Sequence, residues 1–118
     1  QSEENYTVYT TTIEDKTITS DIASQGLVLA YKKTSGSTVA LPYDEKGSNG
    51  SYFWYYQISD GNIVFSADAY GKTSKPGRDQ GFAYYVISSD KLNDLQTKGY
   101  SKAQLMKLTY EEASKILK

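Results

Sequence analysis

Histidine and cysteine are both absent from this chain of 118 residues. Histidine is the usual general base near neutral pH, and cysteine supplies the soft nucleophile and the thiolate ligand of structural zinc. Their absence excludes Ser-His-Asp and Cys-His catalysis within one chain, ordinary zinc sites and any disulfide staple. A charge excess is also lacking: 13 basic residues face 14 acidic ones, for a net charge of −1. Lys32-Lys33 is the only adjacent basic pair. No broad positive field therefore attracts nucleic acid or an anionic membrane. The longest strongly apolar stretch, residues 26–31, falls far short of the roughly 20 residues a membrane-spanning helix needs. The glycines fall at turns, so no phosphate-cradling loop is present.

Tyrosine fills the space left by these absences, at 12 positions. Together with abundant Ser, Thr, Gly and Asn, it gives the composition of an exported β protein that binds rather than catalyses. The length suits a single domain, residues 1–118, large enough to bury a core without staples.

Two regions differ in pattern. Residues 5–88 read as strands and turns, and residues 89–118 as a helical tail packed on them. Residues 5–13 are β-branched and aromatic, as a pleated surface requires. Thr19 or Ser20 is placed to cap a short helical turn that Gly26 stops. Residues 27–34 begin apolar, which predicts burial on both sheet faces, and their Lys32-Lys33 end predicts emergence into solvent. Ser35-Gly36-Ser37 reads as a turn and residues 38–42 as a short returning strand. Residues 43–50 read as a surface loop.

Asp60-Gly61 separates two strand runs, 51–59 and 62–70, and marks a hairpin. A two-residue turn sets Ile58 opposite Ile63, Tyr56 opposite Phe65, Trp54 opposite Ala67 and Tyr52 opposite Ala69. That face is wholly apolar or aromatic, and the large Trp54 meets a small partner. A one-residue slip would mix the two faces. Residues 70–80 read as a Gly/Ser/Lys/Pro loop and 81–88 as another strand. The tail carries two capping-box pairs, Ser101/Gln104 and Thr109/Glu112, and an apolar stripe of Ala113, Ile116 and Leu117. The expected fold is mainly β within an α+β class: an antiparallel β-sandwich or partly closed barrel of about six strands with a short helical C-terminal tail.

Several short motifs carry a family resemblance. They are Ile18-Thr-Ser-Asp-Ile22 before Gly26, the strand Leu27-Val-Leu-Ala-Tyr31, Leu41-Pro42-Tyr43, and the aromatic run 52–56. The strand Phe82-Ala-Tyr-Tyr-Val-Ile87 after Pro76-Gly77 and the ending Leu108-Thr-Tyr-Glu-Glu-Ala113 with Lys115-Ile-Leu117 complete the set. In these the chain resembles short extracytoplasmic proteins, often lipoproteins, of Bacteroidetes-type bacteria. The resemblance implies a β-rich, exported protein: secreted, periplasmic or lipid-anchored at the cell surface. It transfers no activity and no site residue. The lipidated cysteine of a lipoprotein is not among these residues, which leaves a trimmed anchor and a free secreted form both open.

The acidic pairs Glu14-Asp15, Asp44-Glu45 and Glu111-Glu112 are the candidates for a carboxylate hydrolase. Adjacent strand residues point to opposite faces, so no such pair is itself a catalytic dyad, and Glu111-Glu112 is explained by helix capping. Ser88 and Lys91 have the Ser-x-x-Lys spacing of some acyl enzymes without its partner motifs. A strand end followed by a helix cap explains it better. Asp44, Asp60, Asn62 and Asp79 carry calcium-type oxygens in no EF-hand spacing. Asn5-Tyr-Thr7 and Asn49-Gly-Ser51 fit the N-glycosylation sequon, which matters only in a eukaryotic secretory pathway. No catalytic residue, metal site or cofactor is assigned.

Tyrosine joins a flat apolar body to a hydrogen-bonding tip, which suits it to interfaces and to stacking on sugar rings. The residues surplus to the hairpin's core face are Phe53 and Tyr55. With the loop residues Tyr43 and Tyr70 they form the candidate ligand-binding set, unless the tail covers them. The expected role is a non-enzymatic interaction domain whose partner is a glycan or a cell-surface protein. The alternative is an assembly protein docking through an aromatic face or an edge strand, and the remote one is the hydrolase.

Overall fold

The computed structural model describes residues 6–34, 36–48, 50–71 and 80–117. Asn5, Ser35, Asn49, the Pro76-Gly77 loop and Asp79 lie outside the described residues. In chain order the elements are β1 (Tyr6–Glu14), α1 (Ser20–Gln25), β2 (Leu27–Lys33), β3 (Thr38–Ala40), β4 (Tyr43–Gly47) and β5 (Gly50–Ser59). β6 (Asn62–Gly71), β7 (Gly81–Ile87), α2 (Ser89–Thr97), α3 (Lys102–Met106) and α4 (Tyr110–Leu117) follow.

The strands form two antiparallel sheets, a four-stranded one in the order β1-β6-β5-β4 and a three-stranded one in the order β3-β2-β7. The sheets face each other as a sandwich and do not close into a barrel, and the fold is α+β. The β5–β6 hairpin has the register its pattern predicts, from Ser59 opposite Asn62 through Trp54 opposite Ala67 to Tyr52 opposite Ala69. Gly61 at its tip adopts φ 84°, a left-handed value that side chains disfavour. The tip is tied down as well: the Gly61 N–H donates to Ile18 O at 2.6 Å, and Asp15 N–H donates to Gly61 O at 2.9 Å.

Two cores result. One lies between the sheets and holds Ile18, Ile22, Val28, Ala30, Leu41, Trp54, Ile63, Phe65 and Ala67. Phe82 stacks on Phe65 there with ring centroids 4.2 Å apart. The other lies on the opposite side of the three-stranded sheet, where Leu29, Tyr31 and Ile87 meet Leu92, Leu95, Leu105 and Ala113 of the helices. Strand β2 is thus buried on both faces, as its apolar start predicts. Tyr31 O–H donates to Leu108 O at 3.2 Å, and its ring meets Tyr110 edge-on at 5.5 Å, pinning the tail to the sheet.

Helix ends follow the capping rules. Thr19 caps α1 by accepting from Ile22 N–H. Both capping boxes form: Ser101 with Gln104, and Thr109 with Glu112. Gly26 ends α1 in extended backbone, not in the left-handed form of a helix-stopping glycine. Its necessity is close approach, since a Cβ there would lie 2.3 Å from the Ile87 carbonyl oxygen.

Three expectations need correction. Residues 43–47 form a strand, β4, rather than part of a surface loop, and it pairs with β5 from Tyr43–Trp54 to Gly47–Gly50. Its charged sequence is that of a short edge strand, a means by which sheets discourage edge-to-edge pairing. Tyr43 and Tyr70 accordingly sit in strands, not loops. Lys32 does not emerge into solvent; it is 3% exposed, while Lys33 is exposed. Alternation explains this, because Lys32 shares the inward face with Val28 and Ala30.

Candidate functional site

The helical tail covers the three-stranded sheet, and among the described residues no helix packs on the outer face of the four-stranded one. Period-two alternation puts Phe53 and Tyr55 of β5 on that face, because Tyr52, Trp54 and Tyr56 point inward. The register then assembles the rest. Asp44, Phe53, Asp68 and Val8 form one row across the four strands, and Lys46, Ser51, Tyr70 and Tyr6 form the next.

Phe53 is 38% exposed, and its ring stacks with Tyr55 at a centroid distance of 5.7 Å and an interplanar angle of 29°. Tyr70 pairs with Tyr6 at 5.0 Å and 34°. Tyr6 and Val8 on the edge strand are the most exposed large hydrophobic side chains among the described residues. Asp68 lies between the aromatic groups and accepts a hydrogen bond from Tyr55 O–H at 3.0 Å. Partial burial, followed by that bond, pushes the Tyr55 phenol above its ordinary pKa, so its proton stays on the Tyr55–Asp68 link. A carboxylate offers about four acceptor positions, so this bond leaves Asp68 capacity for a ligand hydroxyl.

Beside Phe53 lies a depression of about 380 Å³ lined by Asp44, Gly50, Ser51, Phe53, Tyr70 and Gly71. Ligand pockets run from roughly 300 to 1,000 Å³, so the depression lies at the small end of that range, with an aromatic ring beside it and carboxylate and hydroxyl groups at the rim. Among the described residues no group of three or more Asp or Glu side chains is placed to hold a metal ion.

Three of the four candidate residues come together: Phe53, Tyr55 and Tyr70. Tyr43 separates from them. It lies opposite Trp54 on the inward face and packs against the inter-sheet core. Tyr6 was missed by sequence reasoning, although β1 alternation through Tyr6, Val8, Thr10 and Thr12 marks a single face. The acidic pairs split as strand geometry requires. Asp44 faces outward near Lys46 (3.8 Å), while Glu45 turns inward to accept from Trp54 Nε1 at 2.8 Å. Asp15 accepts from Thr17 and, at 2.6 Å, from Tyr84 O–H; these bonds, Thr17's first, hold its carboxyl below the usual range. Glu112 is spent on the α4 cap.

One buried charged cluster was also missed. Lys32 Nζ sits 4.5 Å from the Trp54 ring centroid and donates to Lys33 O at 3.1 Å. Burial lowers its pKa, and nearby Glu45 partly offsets the shift.

No family model, curated protein or solved structure matches the chain. The site must therefore be read from its own geometry. No helix among the described residues is long and apolar enough to cross a membrane.

Proposed function

We propose that the open face of the four-stranded sheet is a glycan-binding platform on an exported, non-enzymatic interaction domain. The observation that carries this reading is the near-parallel Phe53–Tyr55 ring pair on a face the tail leaves bare, beside a depression rimmed by Asp44 and Ser51. Sugar rings present apolar C–H faces and hydroxyl edges, and this surface offers aromatic faces with carboxylate and hydroxyl partners. Export is carried by the composition and by the resemblance of the Leu27–Tyr31 and Phe82–Ile87 strands and the tail motif to extracytoplasmic proteins.

A glycan array tests the reading. The wild-type protein is expected to be retained on a restricted set of glycans, and the Phe53→Ala/Tyr55→Ala double variant to lose that retention with its melting curve nearly unchanged. Joint loss of fold and binding would mean that the rings are structural. Tyr6 and Val8 favour a second reading, assembly through a flat apolar surface, because they extend the patch to the sheet edge. A pull-down from the source organism that captures a protein through this face, with no glycan retained, would support that reading instead. The hydrolase reading draws on Asp44 and Asp68, which flank Phe53 about 10 Å apart by strand spacing. A glycosidase acid needs burial to raise its pKa, and exposed Asp44 lacks that setting.

A further inference from the structure

Strand β4 pairs with β5 only as far as Trp54. Beyond it the chain turns away through Leu41-Pro42, and residues 55–59 of β5 keep a single sheet neighbour, β6. The register fixes which backbone groups are left over. In the two-residue hairpin, Ser59 exchanges hydrogen bonds with Asn62, so residues 59, 57 and 55 direct their N–H and C=O groups toward β6. Residues 58 and 56 direct theirs the other way. The bond from Asp15 N–H to Gly61 O confirms the parity, because it sets odd-numbered β6 residues against β1 and even-numbered ones against β5. Tyr56 and Ile58 therefore present two sets of main-chain donors and acceptors, two residues apart, along an edge with no strand beside it among the described residues.

That edge opens onto a groove of about 480 Å³. Its walls are mainly apolar: Ile22, Ala23 and Gly26 at the end of α1, Leu27 and Val28 of β2, and Met106 of α3. The Tyr56 O–H holds the wall in place by donating to Val28 O at 2.7 Å. The single charged residue lining the groove is Lys102, which has no ion pair among the described residues.

We propose that this groove receives an extended peptide from another protein, which adds to the four-stranded sheet as a strand in line with β4. The main-chain spacing at Tyr56 and Ile58 calls for a strand and for no other backbone form. Strand alternation sends every second side chain of the guest inward against Ile22 and Val28, so those side chains are apolar. The uncompensated Lys102 cation selects an acidic residue at the guest's α3 end. About four or five guest residues fill the open edge, from 55 to 59. Tyr55 borders both this groove and the aromatic face, but peptide addition here does not depend on glycan binding there.

The probe is an N-acetylated hexapeptide of alternating valine and threonine closing on aspartate, titrated into the isotope-labelled protein. Saturable shifts are expected at the Tyr56 and Ile58 amides, with amide exchange there slowed at least tenfold on saturation. The same peptide N-methylated at alternate residues should not bind. Ala23→Trp, a substitution at an exposed position on α1, should block the groove while leaving the melting curve unchanged. Lys102→Ala should weaken binding by up to about fivefold, the scale of an exposed ion pair. Equal binding of the N-methylated peptide would overturn the proposal, as would shifts at β1, β3 or β7 instead. Core-like exchange protection of the Tyr56 and Ile58 amides in the free protein, or no saturable shift at millimolar peptide, would overturn it equally.

Discussion

Trp54→Ala is the perturbation that probes the sandwich most sharply. The indole is 4% exposed, lies opposite Ala67, and contacts Phe82 across the two sheets with centroids 6.0 Å apart. Truncating a buried aromatic of this size costs about 3–5 kcal/mol. Two polar losses add to it. Glu45 loses its donor, and the buried Lys32 ammonium loses a ring face worth about 0.5–2 kcal/mol. Against a typical stability of about 5–15 kcal/mol, the substitution takes roughly a fifth or more of the total. Trp54 is the only tryptophan, so the melt is followed by circular dichroism in urea rather than by fluorescence. A double-mutant cycle with Lys32→Met isolates the cation–ring term, which should appear as a coupling of about 0.5–2 kcal/mol. A cost below about 1 kcal/mol would refute the core position of Trp54. Strict additivity in the cycle would refute the Lys32–Trp54 contact.

Gly26→Ala should destabilise by about 1–3 kcal/mol in the same melt, because the new methyl meets the Ile87 carbonyl oxygen; a neutral result would refute that close approach. Truncation after Leu108 removes Tyr31's contact with Tyr110 and the packing of Ala113, Ile116 and Leu117, and should cost about 3 kcal/mol or more; amide exchange showing residues 110–117 unprotected in the intact protein would contradict it. Tyr31 and Tyr84 have phenol pKa values pushed up to about 12, Tyr31 chiefly by burial and Tyr84 chiefly by its bond to Asp15. The folded state holds these protons after the unfolded chain begins to lose them near pH 10, so their stabilising contribution is complete below pH 10 and is lost as pH rises through about 12. Tyr84→Phe should flatten part of that alkaline decline, and a melting-temperature profile identical to wild type between pH 9 and 12 would count against the Asp15–Tyr84 bond.

The legible parts of this fold were those where two local signals agreed. The Asp60-Gly61 turn and the facing pattern of residues 51–59 and 62–70 each fix the same register, so the hairpin could be read pair by pair. The tail's capping boxes were readable because each is four residues long and self-contained. Strand β4 was hidden because Asp44, Glu45, Lys46 and Gly47 have turn-like composition, and pairing with β5 overrides that local preference. Lys32 was misplaced by reading two adjacent lysines as one solvated unit, when strand alternation must send them to opposite faces. Which sheet the tail would cover was present in the sequence. β2 and β7 are apolar on both faces and need two covers, whereas β1 and β6 carry Thr10, Thr12, Ser66 and Asp68 on one face and need only one. The aromatic face emerged only when registers across four strands brought Tyr6 and Tyr70 beside Phe53, a long-range juxtaposition that no local pattern contains.

The central claim is that the open aromatic face is where a glycan sits. Cross-saturation from sugar protons to specifically labelled phenylalanine and tyrosine rings tests it most directly, with a glycan retained on the array. The account predicts transfer to Phe53 and Tyr55, with Tyr70 at the margin, and none to Tyr31, Tyr85 or Tyr110, which pack between the three-stranded sheet and the helices. Transfer to rings off this face, or glycan binding without any transfer to Phe53 and Tyr55, would contradict it.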